Sequence, residues 1–162
     1  MLLPLLLALA QVIPVQPLPR GTGLPPAADA SADTQAVLAA VQRLLGTIET
    51  NDRETLLAVT RPDGGATVAM ERPDGARRVR HLSWAEFAQL LVPGPGRHRE
   101  TISDPAVEVD GDIAMVWAPY LVTRNGAPDH CGYDHFDLVR EGGEWKVLNV
   151  TWSQRATGCT AR

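Results

Sequence analysis

Three tight-turn dipeptides in the C-terminal half constrain this chain more than any other feature. Asp110-Gly111, Asn125-Gly126 and Gly142-Gly143 each separate runs rich in β-branched and aromatic residues. Such pairs tolerate positive φ at both central positions of a two-residue turn, which marks a hairpin. The runs Arg97 to Val109, Ile113 to Thr123, Cys131 to Arg140 and Trp145 to Gln154 therefore read as a meander of long strands.

Helices precede that meander. Val37, Val41, Leu44, Leu45 and Ile48 recur at helical spacing and form one apolar stripe, which Ser31 or Asp33 can cap. Asn51-Asp52 ends this helix, and Asp52 can cap a short second one carrying Leu56, Leu57 and Val59. Pro62-Asp63-Gly64-Gly65 is expected to break it, with a short strand from Ala66 to Glu71 following. A turn at Arg72-Pro73-Asp74-Gly75 lets Arg77 to His81 pair back. Ser83-Trp84-Ala85-Glu86 is a capping box for a third helix, stopped by Pro93-Gly94-Pro95-Gly96, and Trp84 is assigned to the core. Helices followed by a meander predict an α+β fold. We expect a cone-shaped, curved antiparallel sheet wrapped on the N-terminal helices around one internal pocket.

At 162 residues, with 44% hydrophobic and 21% charged, the chain suits one domain with a real core. The net charge of −4 and the lack of a basic run beyond Arg77-Arg78-Val79-Arg80-His81 argue against nucleic acid as a partner. Leu2 to Ala10 is almost wholly apolar and ends in the small-x-small pattern Ala8-Leu9-Ala10, although no basic residue precedes it. Residues 1–10 are read as a signal peptide, 11–30 as a disordered Pro/Ala-rich linker and 31–162 as the folded domain. The expected location is the periplasm or the medium, with no membrane attachment after cleavage.

The element order resembles the nuclear transport factor 2 superfamily, which includes SnoaL-like polyketide cyclases, ketosteroid isomerase and scytalone dehydratase. The resemblance spans about Val37 to Trp152. Its most specific strings are Asp110-Gly111-Asp112-Ile113-Ala114-Met115-Val116-Trp117-Ala118-Pro119-Tyr120, His130-Cys131-Gly132-Tyr133-Asp134-His135-Phe136 and Gly143-Glu144-Trp145-Lys146-Val147. It implies the cone fold and a pocket. It implies no single activity, because this fold hosts enzymes, binders and adaptors alike.

Strand pairing then nominates site residues. A two-residue turn at Asn125-Gly126 sets Trp117 opposite Asp134, Met115 opposite Phe136 and Ile113 opposite Leu138. Those apolar residues would form the concave face, and Asp134, Gly132 and His130 share it by alternation. A carboxylate there loses solvation, its pKa rises, and it can act as a general acid or base. Asp134 is the candidate catalytic group and His130, at the rim, its candidate companion. His135 and Asp137 fall on the opposite face, and His81 and His98 read as surface residues. Trp117, Met115 and Phe136 are the candidate ligand contacts. In the last hairpin, a two-residue Gly142-Gly143 turn adds Asn149 and Thr151 to the cavity, whereas a one-residue slip brings in Val150 and Trp152. Tyr120 changes sides with register too.

No metal site is expected, because His130 and Asp134 point away from Cys131 and His135, and no cofactor is expected. Cys131 and Cys159 are the only cysteines, and in an exported chain they should form a disulfide, with Cys131 opposite Gln154 and the tail folding back. Three functions follow: a binder of a small apolar or aromatic molecule, a cofactor-free isomerase, cyclase or dehydratase using Asp134, or a homodimeric interaction module. The first is preferred, and a homodimer is expected from apolar outer-face residues assigned as Val116, Ala118, Leu148 and Val150.

Overall fold

A computed structural model describes residues 30–160. The signal peptide expected over 1–10 and the linker expected over 11–30 lie outside the described residues, except Ala30, which opens the first helix. Helix α1 spans Ala30–Thr50, so Ser31 and Asp33 fall inside its first turn rather than capping it. There the Asp33 carboxylate accepts from Arg140 at 2.8 Å. Helix α2, Arg53–Val59, is capped by Asp52, whose side chain accepts from the Thr55 amide. Helix α3, Trp84–Leu90, opens on the full Ser83/Glu86 capping box.

The strands are β1 Thr60–Glu71, β2 Arg77–Ser83, β3 His98–Ile102, β4 Ala106–Asp110, β5 Ile113–Arg124, β6 Ala127–Glu141 and β7 Glu144–Gln154. They form one sheet in the order β2-β1-β7-β6-β5-β3, with β4 also paired to β5. The meander pairs are antiparallel, while β1 lies parallel to β7. The sheet is therefore mixed and curved, and the helices cover its concave face. Among the described residues no helix is long and apolar enough to cross a membrane.

Two expected boundaries move. Helix α2 does end before Pro62, but Pro62 to Gly65 is absorbed into β1 rather than preceding it, and the pairing with β7 shifts between Thr60 and Gly65. Gly64 is needed there, since a Cβ would lie 1.7 Å from the Leu148 carbonyl oxygen. The run Arg97 to Val109 splits into β3 and β4 because Asp104 adopts φ 42° just before Pro105.

Two one-residue bulges decide which side chains face the cone. The Asn125-Gly126 turn is two residues long, as Arg124 pairs with Ala127 and Thr123 with Pro128. Val122 then pairs with His130, leaving Asp129 as the extra residue. Every later pair slips by one: Ala118 faces Asp134, Val116 faces Phe136 and Ala114 faces Leu138. The last hairpin slips likewise, since Leu138 pairs with Val147 but Asp137 with Asn149, which leaves Leu148 extra. A slip of one residue exchanges the two faces of a strand. Val116, Ala118 and Val150, expected outside, are buried inside, and Met115 and Trp117 lie outside. The core joins Val37, Val41, Leu44 and Leu45 of α1 to Val116, Phe136, Leu138 and Val147 of the sheet.

Candidate functional site

Between α1, α3 and the concave face lies a cavity of about 190 Å³. Its walls are apolar. Leu44, Leu45 and Ile48 come from α1, Phe136 from β6 and Val150 from β7. Trp84, Phe87 and Trp152 form an edge-to-face series, with ring centroids 5.9 and 6.4 Å apart. The bulge at Leu148 fixes one end of that series: its carbonyl, at the ladder irregularity, accepts from Trp84 Nε1 at 2.9 Å.

The polar part of the cavity is made by β3, β5, β6 and β7. Asp134 is 2% exposed, and its Oδ2 has no hydrogen-bond partner. Its neighbour is Glu100 of β3, a half-buried side chain that shares a hydrogen bond with it. Burial first, then the negative charge of Glu100, pushes the Asp134 carboxyl up to about 10. Burial raises Glu100 as well, against the opposing effect of its hydrogen bond with Asp134. Tyr120 is buried beside them and its hydroxyl donates to the Ser153 carbonyl at 3.0 Å. Its pKa is raised by burial and then by the two carboxylates. Gly132 makes this arrangement possible, because a Cβ there would lie 1.8 Å from the same Ser153 oxygen. His130 lines the cavity and packs edge-on against Tyr120 at 5.9 Å. Its Nδ1 is within 2.8 Å of the bulged Asp129, and that contact is the main cause of a lowered Asp129 pKa.

The structure thus brings Asp134, His130 and Phe136 together in the cavity. It does not bring Trp117, Met115, Asn149 or Thr151 there. The bulge at Asp129 turns Trp117 and Met115 to the outer face, where Trp117 stacks on Tyr133 at 5.3 Å. The bulge at Leu148 turns Asn149 and Thr151 outward and Val150 and Trp152 inward, the slipped alternative. Asn149 instead accepts from the Gly65 amide at 3.2 Å.

Glu100 is the polar cavity residue that the sequence analysis did not nominate, together with His98 at the cavity mouth. The alternation His98, Glu100, Ile102 carried the signal: with Ile102 inward, Glu100 must follow it. Both cysteines are joined, with Cα atoms 5.6 Å apart, and Cys131 bridges to Arg155 rather than to Gln154. Among the described residues no cluster of three or more His, Cys, Asp or Glu is placed to hold a metal ion.

Comparison with known proteins agrees with this architecture. None of the curated proteins matches the chain. Among solved structures, a protein of unknown function with a cystatin-like fold from Nostoc punctiforme superposes with a TM-score of 0.61 at 15% identity, covering 78% of this chain and 94% of that one. A nuclear transport factor 2-like protein from Cytophaga hutchinsonii superposes at 0.59 and 17% identity, covering 75% and 98%. The beta subunit of an aromatic-ring-hydroxylating dioxygenase, assigned as putative, from Novosphingobium aromaticivorans reaches 0.63 at 16% identity, covering 82% and 93%. These likenesses establish the nuclear transport factor 2-like cone and nothing about chemistry. One family model, described as "Putative lumazine-binding", matches residues 32–153, nearly the whole cone. The chain belongs to that family.

Proposed function

We propose that this protein binds a small, mostly apolar or aromatic molecule inside the cone, with its polar group against Asp134 and Glu100. One observation carries the reading: an apolar cavity of about 190 Å³ lined by the buried Asp134 carboxyl, whose Oδ2 has no hydrogen-bond partner. Buried polar atoms are nearly always satisfied, so an orphan facing a cavity marks where a ligand atom goes. Apolar cavities of about 150 Å³ hold a benzene ring, which sets the ligand at one ring and its substituent. Calorimetry with indole tests this against Val150→Trp, which fills the cavity from its wall. Binding to the wild type and loss in a folded variant is expected. Equal binding by both sinks the reading.

The raised carboxyl pair favours a second reading, in which Asp134 moves a proton in an isomerisation, cyclisation or dehydration. Deuterium exchange into cyclic ketones, followed by NMR, would detect it. An undiminished rate in Asp134→Asn would remove Asp134 from that role.

Export completes the proposal. The apolar run at Leu2 to Ala10 and the Cys131–Cys159 bridge both suit an oxidising compartment. Recovery from a Gram-negative host of cytoplasmic protein with Met1 intact and two free thiols would defeat it.

A further inference from the structure

The polar part of the cavity holds two acids that no Lys or Arg of the described residues lining it answers. Asp134 on β6 and Glu100 on β3 reach it from the strands flanking β5. The helices contribute only apolar side chains to the lining, and no Lys or Arg is part of it. The titratable neighbours are committed or distant. The Tyr120 hydroxyl donates to Ser153, and His130 Nδ1 is held by Asp129. His98 stands at the exposed mouth. Arg155 is felt by Tyr120 but lines a separate surface pocket.

Two adjacent carboxyls in apolar surroundings do not both ionise without a counter-charge. They retain at least one proton between them, so the polar end of the cavity offers acceptor oxygens and an O–H. A carbonyl ligand can take up that O–H but leaves the other acceptor oxygens unpaired, and an anion adds negative charge beside two acids. A cation with N–H donors meets both oxygens through charge-assisted hydrogen bonds. Its flat body can lie against Phe87 and Trp152, whose ring faces attract positive charge.

We propose that the cavity takes a small organic cation bearing N–H donors, an aromatic amidinium or protonated amine, with Asp134 and Glu100 as its counter-ions. This rests on the reading of the cavity as a ligand site. The proton balance follows: the cation enters, one carboxyl O–H releases its proton to solvent, and no other covalent bond changes. Affinity for a permanent cation therefore rises with pH, because proton release becomes easier.

Benzamidine, benzamide and benzoate share one frame and differ in charge, so titrating the full chain with each by calorimetry separates the outcomes. We expect benzamidine to bind at least about tenfold tighter than the other two. Its heat should depend on buffer in the sense of proton release, and its affinity should rise between pH 6 and pH 8. Asp134→Asn and Glu100→Gln, each checked for folding by its thermal transition, should bring the benzamidine-to-benzamide ratio below about threefold. Benzamide binding as tightly as benzamidine would overturn the cation proposal and leave the cavity reading standing. Failure of all three probes, and of indole, would overturn both. The wild-type comparison decides the matter even where a variant does not fold.

Discussion

The two faces of β6 carry nearly the same residue types and do opposite things. Inward lie His130, Asp134, Phe136 and Leu138; outward lie Tyr133, His135 and Asp137. On the outer face, His135 Nε2 approaches Asp137 at 3.6 Å, both partly solvated, and Tyr133 stacks on a Trp117 that is 47% exposed. Inside, the same kind of acid is stripped of water, faces a second acid and holds its proton to about pH 10. Desolvation and the neighbouring charge, not the identity of the residue, separate a solvated surface pair from a site with chemical potential. The comparison can be broken at three points.

The largest effect should come from packing. Phe136 is 1% exposed and joins the α1 stripe to the sheet. Phe136→Ala should remove about 3–5 kcal/mol of unfolding free energy, measured by denaturant titration. A loss below about 1 kcal/mol would mean that the cone is held from elsewhere and that the cavity walls are not core.

Next in size is a pH dependence. Asp134 has a folded pKa raised from 3.8 to about 10. Its folded form binds the proton more tightly, so its stabilising contribution is complete below about pH 4. That contribution is lost as pH rises toward about 10, by up to roughly 1.4 kcal/mol per pH unit for one proton. Glu100, raised by the same burial, acts in the same direction. Asp134→Asn, which mimics the protonated acid, should flatten the decline, lying near the wild type in acid and above it in alkali. Parallel pH curves for the two proteins would show that the inner acid is as solvated as the outer one.

The difference between the faces was only partly legible. Element order followed from local chemistry: the Ser83-Glu86 box, the Asp52 cap and the glycine turns each act over a few residues, and each appears in the fold. Asp134 and Phe136 were readable because His130 to Leu138 alternates without interruption. Their partners were not. Asp129 and Leu148 are each one residue too many for a regular ladder, and the side-chain and backbone contacts that favour the bulges do not show in the strand pattern. Leu148 lends its carbonyl to Trp84, 64 positions away in sequence. Asp129 engages Arg124 across its turn. Each extra residue inverted one set of assignments, which put Trp117 and Thr151 in place of Tyr120 and Trp152. Glu100 was hidden for another reason. A single acid between Arg99 and Thr101 looks like solvated strand until its inward neighbour Ile102 is placed.

The smallest effect belongs to the outer face. Trp117 and Ile113 are 47% and 59% exposed on the convex side, so truncation there opens no cavity. Trp117→Ala should cost about 1 kcal/mol or less in dilute solution, the worth of an exposed aromatic pair with Tyr133. A loss above about 2 kcal/mol under those conditions would make the outer aromatics part of the folding core. The same variant also bears on the homodimer expected from the sequence: with Val116, Ala118 and Val150 buried inside, we propose that any association uses this face instead. Association links stability to concentration, so the wild-type melting temperature should climb with protein concentration, while that of Trp117→Ala should not. A wild type that scatters light as a monomer at high concentration would end the dimer proposal. The outer aromatics would then be ordinary exposed side chains, and the contrast with the inner face would be complete: one surface of β6 with a pocket and a proton, the other with neither ligand nor partner.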